Sequence, residues 1–283
     1  MLSKVRTSVC VVCVGGLAGV GIAAAQPGRT ERPSHATPDS PPNPSPVAPE
    51  AEPLPTPPVS FPHPLITEVL YAVPTKHGDA NLDGERQTTG DEFVELINPH
   101  ARPIRIGGYT LVDAAPSGGT QFRFIFPPMT LQPGQVVVVF NGHDANIKGP
   151  IGDSATPPRE RHPAFGNAWV LTARARSTRA GFANTADYVM LLDPKDQPIQ
   201  CVLWGDAEDP KLSEGQICLI ERVPTATDGS VQRRGIEGGF IEHPPYRPEG
   251  AGMEVALMTF SPGVFVVPGL TRLEDLPPYK GER

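Results

Sequence analysis

Between residue 65 and about residue 223 the chain repeats one unit: a run of five to eight apolar or alternating residues, then a cluster of Gly, Pro, Asn or Asp. The runs are Ile66–Val73, Glu92–Asn98, Ile104–Val112, Gln121–Phe126, Gln135–Asn141, Ala168–Thr172, Tyr188–Asp193, Ile199–Trp204 and Gln216–Arg222. They are rich in Val, Ile, Phe and Tyr, and none keeps a 3.6-residue period over three turns. Their length and turn spacing predict an all-β sandwich or barrel. Val136 to Phe140 is apolar throughout, as a strand covered on both faces would be. Phe122, Phe124 and Phe126 alternate with Arg123 and Ile125, as on a half-buried strand. Composition points the same way: 36 Pro and 29 Gly make 65 of 283 residues, nearly twice the usual share of roughly 12 %, which disfavours long helices. Segments 142–165 and 224–250 read as loops, long enough to be functional or mobile.

The ends differ from this body. Residues 1–25 have a positive start (Lys4, Arg6), an apolar stretch from Val9 and the A-x-A exit Ala23-Ala24-Ala25, the three parts of a secretory signal. An uncleaved anchor helix is the alternative, and its glycines argue against it. Cys10 and Cys13 lie too early in the apolar run for lipid attachment. Residues 26–63 form a Pro-rich linker with almost no apolar bulk, expected to be disordered and extended. The domain is expected over 64–267, with a tail at 268–283. The secreted, periplasmic or cell-surface location that follows leaves Cys201 and Cys218 as the mature cysteines. Adjacent antiparallel strands could join them in a disulfide, and two buried free thiols fit the sequence equally. The net charge of −7 makes general nucleic-acid binding improbable, because phosphate neutralisation needs a basic surface. No later apolar run approaches the roughly 20 residues that span a bilayer.

Five fragments in order carry a family resemblance. They are Asp91-Glu92-Phe93-Val94-Glu95-Leu96-Ile97-Asn98; Ile106-Gly107-Gly108-Tyr109-Thr110-Leu111; Phe124-Ile125-Phe126-Pro127 with Leu131-Gln132-Pro133-Gly134; Asn184-Thr185-Ala186-Asp187 with Val189 to Asp193; and Phe260-Ser261-Pro262-Gly263. Across residues 65–263 the chain resembles the bacterial lamin-tail domain, with Tyr109 where that family has Trp and a long insert at 142–165. The resemblance implies an immunoglobulin-like β-sandwich. It implies little chemistry, since the family's domains occur on secreted and surface proteins as binding or structural modules. The residues allow a parallel physical account. Val94 and Leu96 would face one side of a strand, and Phe93, Glu95 and Ile97 the other. Gly107 and Gly108 would permit a kink between two strand halves.

The best site signal is Asp79-Ala80-Asn81-Leu82-Asp83-Gly84-Glu85, the D-x-N-x-D-G opening of a calcium loop. Asp79, Asn81 and Asp83 would converge on one hard cation, and Glu85 would offer its carbonyl. The twelfth position is Gly90 rather than an acid, so Asp91 and Glu92 could close the site only through a longer loop. A polar turn without metal fits the same residues. Arg174, Arg176 and Arg179 form the one basic cluster of the core region and could grip a phosphate or an acidic glycan, or simply guard a strand edge. Arg233-Arg234 is a lesser spot of the same kind.

Hydrolysis finds no support: there is no G-x-S-x-G elbow, no H-E-x-x-H, and Glu92 and Glu95 fall on opposite strand faces. The expected role is therefore a non-catalytic binding or structural module, whose partner would be an extracellular or envelope protein or glycan. The rival is a metal-assisted, phosphodiesterase-like hydrolase acting from the long loops, which requires His143, Asp144, His162 and His243 to meet in one pocket. A scaffold assembling through sheet edges or its tail is a third class.

Overall fold

The computed structural model describes residues 59–114, 121–247 and 256–265. The expected signal (1–25), residues 26–58 of the linker, and the tail (268–283) lie outside the described residues.

The apolar runs become strands because alternate side chains can be buried on two sides of one sheet. In β2 (Phe93–Ile97) all five residues are buried. Val94 and Leu96 face one core, and Phe93 and Ile97 another. The same split holds for β7 (Val136–Phe140), with Val137 and Val139 on one side and Val136, Val138 and Phe140 on the other. These two strands pair antiparallel at the centre of a seven-stranded sheet. Beside them lie β1 (Leu65–Ala72) and β9 (Trp169–Thr172), and at the rim β8 (Ile151–Gly152).

A five-stranded sheet faces this one. It consists of β4 (Thr110–Asp113), β5 (Arg123–Ile125), β10 (Ala186–Leu192), β11 (Pro198–Gly205) and β12 (Leu219–Arg222). Between the sheets sits one apolar core, to which Ile66, Val69, Val94 and Val139 contribute from one side and Leu111, Phe124, Leu191 and Val202 from the other. The fold is an all-β sandwich of immunoglobulin-like type, as expected. The run Ile104–Val112 breaks at the two glycines more sharply than a kink. Its first half, β3 (Ile104–Arg105), leaves to pair with β6 (Thr130–Leu131) in a separate ribbon, while its second half is β4. Gly108, at φ +86°, makes the corner.

Segment 224–250 departs from the loop expected there. It holds β13 (Gly229–Arg233), which pairs with β1, and β14 (Phe240–Glu242) at the sheet's edge. Val231 is the single apolar residue of β13, so the usual alternation signal is missing. Ser230 and Arg233 are buried by polar contacts instead. Arg233, read from the sequence as half of a minor basic spot, points into the sandwich. Its guanidinium pairs with Glu221 and donates to the carbonyls of Ile66 (3.2 Å) and Gly238 (2.6 Å).

The outer face of the seven-stranded sheet is also covered. Leu65, Leu70, Phe93, Val138 and Phe140 pack there against Val59, Ile147, Phe165, Phe260 and Phe265 from non-strand segments. In the inner core Trp204 stacks on Tyr71, with ring centroids 4.1 Å apart and planes 3° from parallel, and its indole N–H donates to the Ala183 carbonyl at 2.7 Å. Trp204→Ala removes that stack and leaves a cavity, so it should lower the unfolding free energy by about 3–5 kcal/mol in urea titrations.

Candidate functional site

The Asp79–Asp91 connection is organised by its own carboxylates. Asp79 accepts from the backbone N–H groups of Asp83 (3.2 Å) and Gly84 (3.0 Å). The Asn81 side-chain oxygen accepts from Asp83 N–H (3.0 Å), and Asp83 accepts from Glu85 N–H (2.9 Å). Asp91, fully buried, accepts from Asn81 N–H (2.9 Å) and Gln87 N–H (2.6 Å) and so ties the loop's end to its start. Burial, against those hydrogen bonds, pushes the Asp91 carboxyl up to about 6, and neighbouring Asp79 adds to the rise. The loop is docked as well as folded. The Arg86 guanidinium donates to the carbonyls of Pro74 and Val73. Asn146 N–H donates to Asp83 (2.8 Å), and Gly142 N–H to the Gly90 carbonyl (3.1 Å).

The structure thus brings together four of the six expected ligands, Asp79, Asn81, Asp83 and Asp91, and leaves two apart. Glu85, whose carbonyl was the expected donor, contributes its N–H to the loop, and its side chain is exposed and takes no part. Glu92 turns to the opposite side of its strand, where its carboxylate accepts from Phe182 N–H at 3.1 Å. The donor set of the loop is hard oxygen, which suits calcium in kind. Its oxygens are already engaged by N–H groups, and among the described residues no group of three or more His, Cys, Asp or Glu is placed to hold a metal ion. A cation here would rest on Asp79, Asn81, Asp83 and a backbone carbonyl.

Sequence reasoning missed the most polar part of the interior. A bulge between Ile66 and Glu68 turns both Thr67 and Glu68 to the outer face, where Glu68 lies opposite Glu95 of β2. Glu95 accepts from the Thr67 hydroxyl (2.7 Å) and from Gly263 N–H (2.9 Å). Glu68 accepts from the Ser230 hydroxyl (2.6 Å) and from Ser261 N–H (2.9 Å). The closing element Phe260-Ser261-Pro262-Gly263 is therefore a clasp over two buried glutamates. Burial, with Glu68 beside it, holds the Glu95 carboxyl well above its ordinary range. The visible signal was a lone glutamate inside each of two apolar runs, Leu65–Tyr71 and Phe93–Ile97.

His243 belongs to this clasp. Its Nδ1 lies 2.6 Å from the Pro244 carbonyl and its Nε2 2.8 Å from Ser261 Oγ. Ser261 Oγ also lies 3.0 Å from Glu68 and 2.8 Å from the Val264 carbonyl. This set differs from a nucleophilic triad in two respects. The glutamate touches the serine rather than the far side of the imidazole, and the serine hydroxyl is sealed from solvent. His143 contacts Asp144 (3.2 Å), while the His162 ring reaches the Lys148 carbonyl and Ala164 N–H. The pocket that would join His143, Asp144, His162 and His243 does not form among the described residues.

The remaining predicted residues are placed as follows. Arg174, Arg176 and Arg179 are all exposed, and Arg174 pairs with Asp153 at 3.2 Å. Cys201 and Cys218 are free thiols, the second of the two arrangements the sequence left open, with Cys201 buried and Cys218 half-buried. Their strands are parallel rather than antiparallel, with Cys201 opposite Ile220, so Cys218 falls two residues off register. Burial raises both thiols, Cys218 to about 11, and they line the outer core of the five-stranded sheet.

Burial raises three more carboxyls, Glu92, Asp113 and Asp187; Asp187 and Asp113 add to the rise at Glu92, and Asp187 adds to that at Asp113. Asp113 reaches about 7 while accepting from Phe122 N–H at 3.0 Å. A carboxyl held neutral in the fold stabilises fully below its unfolded value and loses that stability as pH rises through its folded value. The melting temperature should therefore fall from about pH 5 to about pH 8. Asp113→Asn keeps an acceptor for Phe122 and removes the charge, so the fall should shrink by a few degrees in calorimetry.

No curated protein matches the chain. The Lamin Tail Domain family matches residues 60–206, from just before β1 to the end of β11 and over half of the sequence. With the sandwich topology and that match together, the chain belongs to the lamin tail domain family.

Proposed function

We propose that this chain is a secreted, non-catalytic module that binds or builds at the cell surface or outside it, with its working surface on the joined loops 79–91 and 142–153. The observation that carries this reading is the docking of one loop on the other through Asp83–Asn146 and Gly90–Gly142. Two long connections held on a rigid sandwich make a presenting surface, the usual way a β-scaffold supports recognition. Membership in a family of immunoglobulin-like domains without catalytic chemistry supports the same role. So does the commitment of the buried Ser, His and Glu groups to holding segments together. The apolar leader and Pro-rich segment favour a location outside the cytoplasm, where the partner would be an envelope or extracellular protein or glycan.

In this reading calcium orders the 79–91 loop and does no chemistry. Asp79, Asn81 and Asp83 would hold it, offsetting the repulsion between the two carboxylates of a turn their hydrogen bonds already fold. Calcium should raise the melting temperature of the full chain relative to chelator by several degrees, and Asp83→Ala should abolish that increment. Equal melting curves with calcium and with chelator would remove the metal. Capture of a specific envelope or extracellular component by the full chain, with no turnover of phosphodiester substrates, is the result expected for the module. Chelator-sensitive hydrolysis by the purified chain would replace it with the enzyme.

A further inference from the structure

An open cleft of about 400 Å³ lies between the 142–151 segment and the end of β9. It is lined by Gly142, Ala145, Ile147, Ile151 and Ala175 and by the polar Asn146, Thr172 and Arg174. The volume falls within the range of small-ligand sites, and polar groups make up the larger part of the exposed lining beside the aliphatic residues. No aromatic ring lines it, which disfavours a stacked sugar or nucleobase.

Backbone strain gathers at the same place. Arg174 has φ +49° and neighbouring Asp144 φ +55°, both in the left-handed region that costs a non-glycine residue energy. Gly142 has φ +70°, and a Cβ there would strike Thr172 Oγ1. That oxygen accepts from Arg174 N–H at 3.2 Å. Gly142 therefore lets the two walls close to the point where Thr172 fixes the backbone that carries the guanidinium.

Charge selects the ligand. Residues 142–182 carry six basic side chains against three acidic ones, while the rest of the chain carries 18 against 28. Lys148, Arg159, Arg161, Arg176 and Arg179 are exposed, so the stretch of an acidic chain that contributes Arg174 to the cleft is itself basic. Arg174 is 65 % exposed and meets Asp153 through a single contact of 3.2 Å. A guanidinium has five N–H donors in a planar fork, so donors remain for a second carboxylate.

We propose that this cleft binds a carboxylate carried on a short aliphatic body, with Arg174 taking the carboxylate and Ile147 and Ile151 the body. The proposal rests on the reading of these loops as a binding surface and names what they bind. A free aliphatic acid and a peptide C-terminus ending in an apolar residue share this chemistry. The probes are hexanoate for the first source, N-acetyl-leucine for the second and N-acetyl-leucinamide as the uncharged control, each titrated into the full chain by ligand-observed NMR.

At least one acid should bind, with N-acetyl-leucinamide at least about tenfold weaker than N-acetyl-leucine where the latter binds. Arg174→Gln should weaken the bound acid by a similar factor and leave the melting temperature within a degree or two. Asp153→Asn, which removes the competing carboxylate, should tighten it. Hexanoate binding alone assigns the free acid, N-acetyl-leucine binding alone assigns the chain terminus, and binding of both assigns the aliphatic carboxylate in general. Absence of binding by both acids at about 10 mM overturns the proposal, as does affinity unchanged in Arg174→Gln. If the full chain still captures an envelope component, and Arg174→Gln captures it equally, the binding module stands and this cleft is not its site.

Discussion

Two glutamates facing each other beneath a closing turn govern how this sandwich is finished. Glu68 and Glu95 sit opposite one another on the central strands β1 and β2, both shut away from water. Two like charges so close and so dry cannot both persist without donors around them. The donors come from three places far apart in sequence: Thr67 on the bulge, Ser230 on β13, and the backbone of Ser261 and Gly263. The electrostatic need of one face thus recruits β13 and the segment 256–265. Once there, Phe260 and Phe265 cover the apolar remainder of that face. Ser261 Oγ lies within hydrogen-bond reach of His243 Nε2, Glu68 and the Val264 carbonyl, so one hydroxyl ties the histidine, the glutamate and the closing turn together.

Much of the body was legible because burial on two faces leaves a plain trace. The uninterrupted Val136–Phe140, the alternating Phe122–Phe126 and the Val94/Leu96 division all follow from the two-residue strand period and appear as expected. The glycine pair announced the break between β3 and β4, though not that its halves would join different sheets. β13 escaped because it buries Ser230 and Gln232 on the outer face and Arg233 on the inner one, and Ser230 and Arg233 satisfy burial by pairing rather than by oiliness. Gln232 is the exception within the exception, since its side-chain amide is buried without a partner.

The site was legible in its residues more than in its geometry. The D-x-N-x-D-G string does form a turn centred on Asp79, Asn81 and Asp83, since short acids beside free N–H groups fold locally whatever else happens. Glu92 is one residue from Asp91, and in an extended chain that single step sends it through the sheet to the other side. Arg174, Arg176 and Arg179 looked equivalent in sequence, but only Arg174 lines the cleft. The difference arises from Gly142 and Thr172, residues with no signature of their own.

The family match ends at residue 206, whereas the strand that pairs with β1 from Glu68 to Ala72 on its second edge comes from residues 229–233. A fragment cut to the matched stretch would carry an eight-residue strand with its hydrogen-bonding row bared. It would also carry two acids stripped of their clasp. Such a strand invites another copy to fill the gap, so the boundary drawn by kinship and the boundary drawn by cohesion are different lines in this molecule.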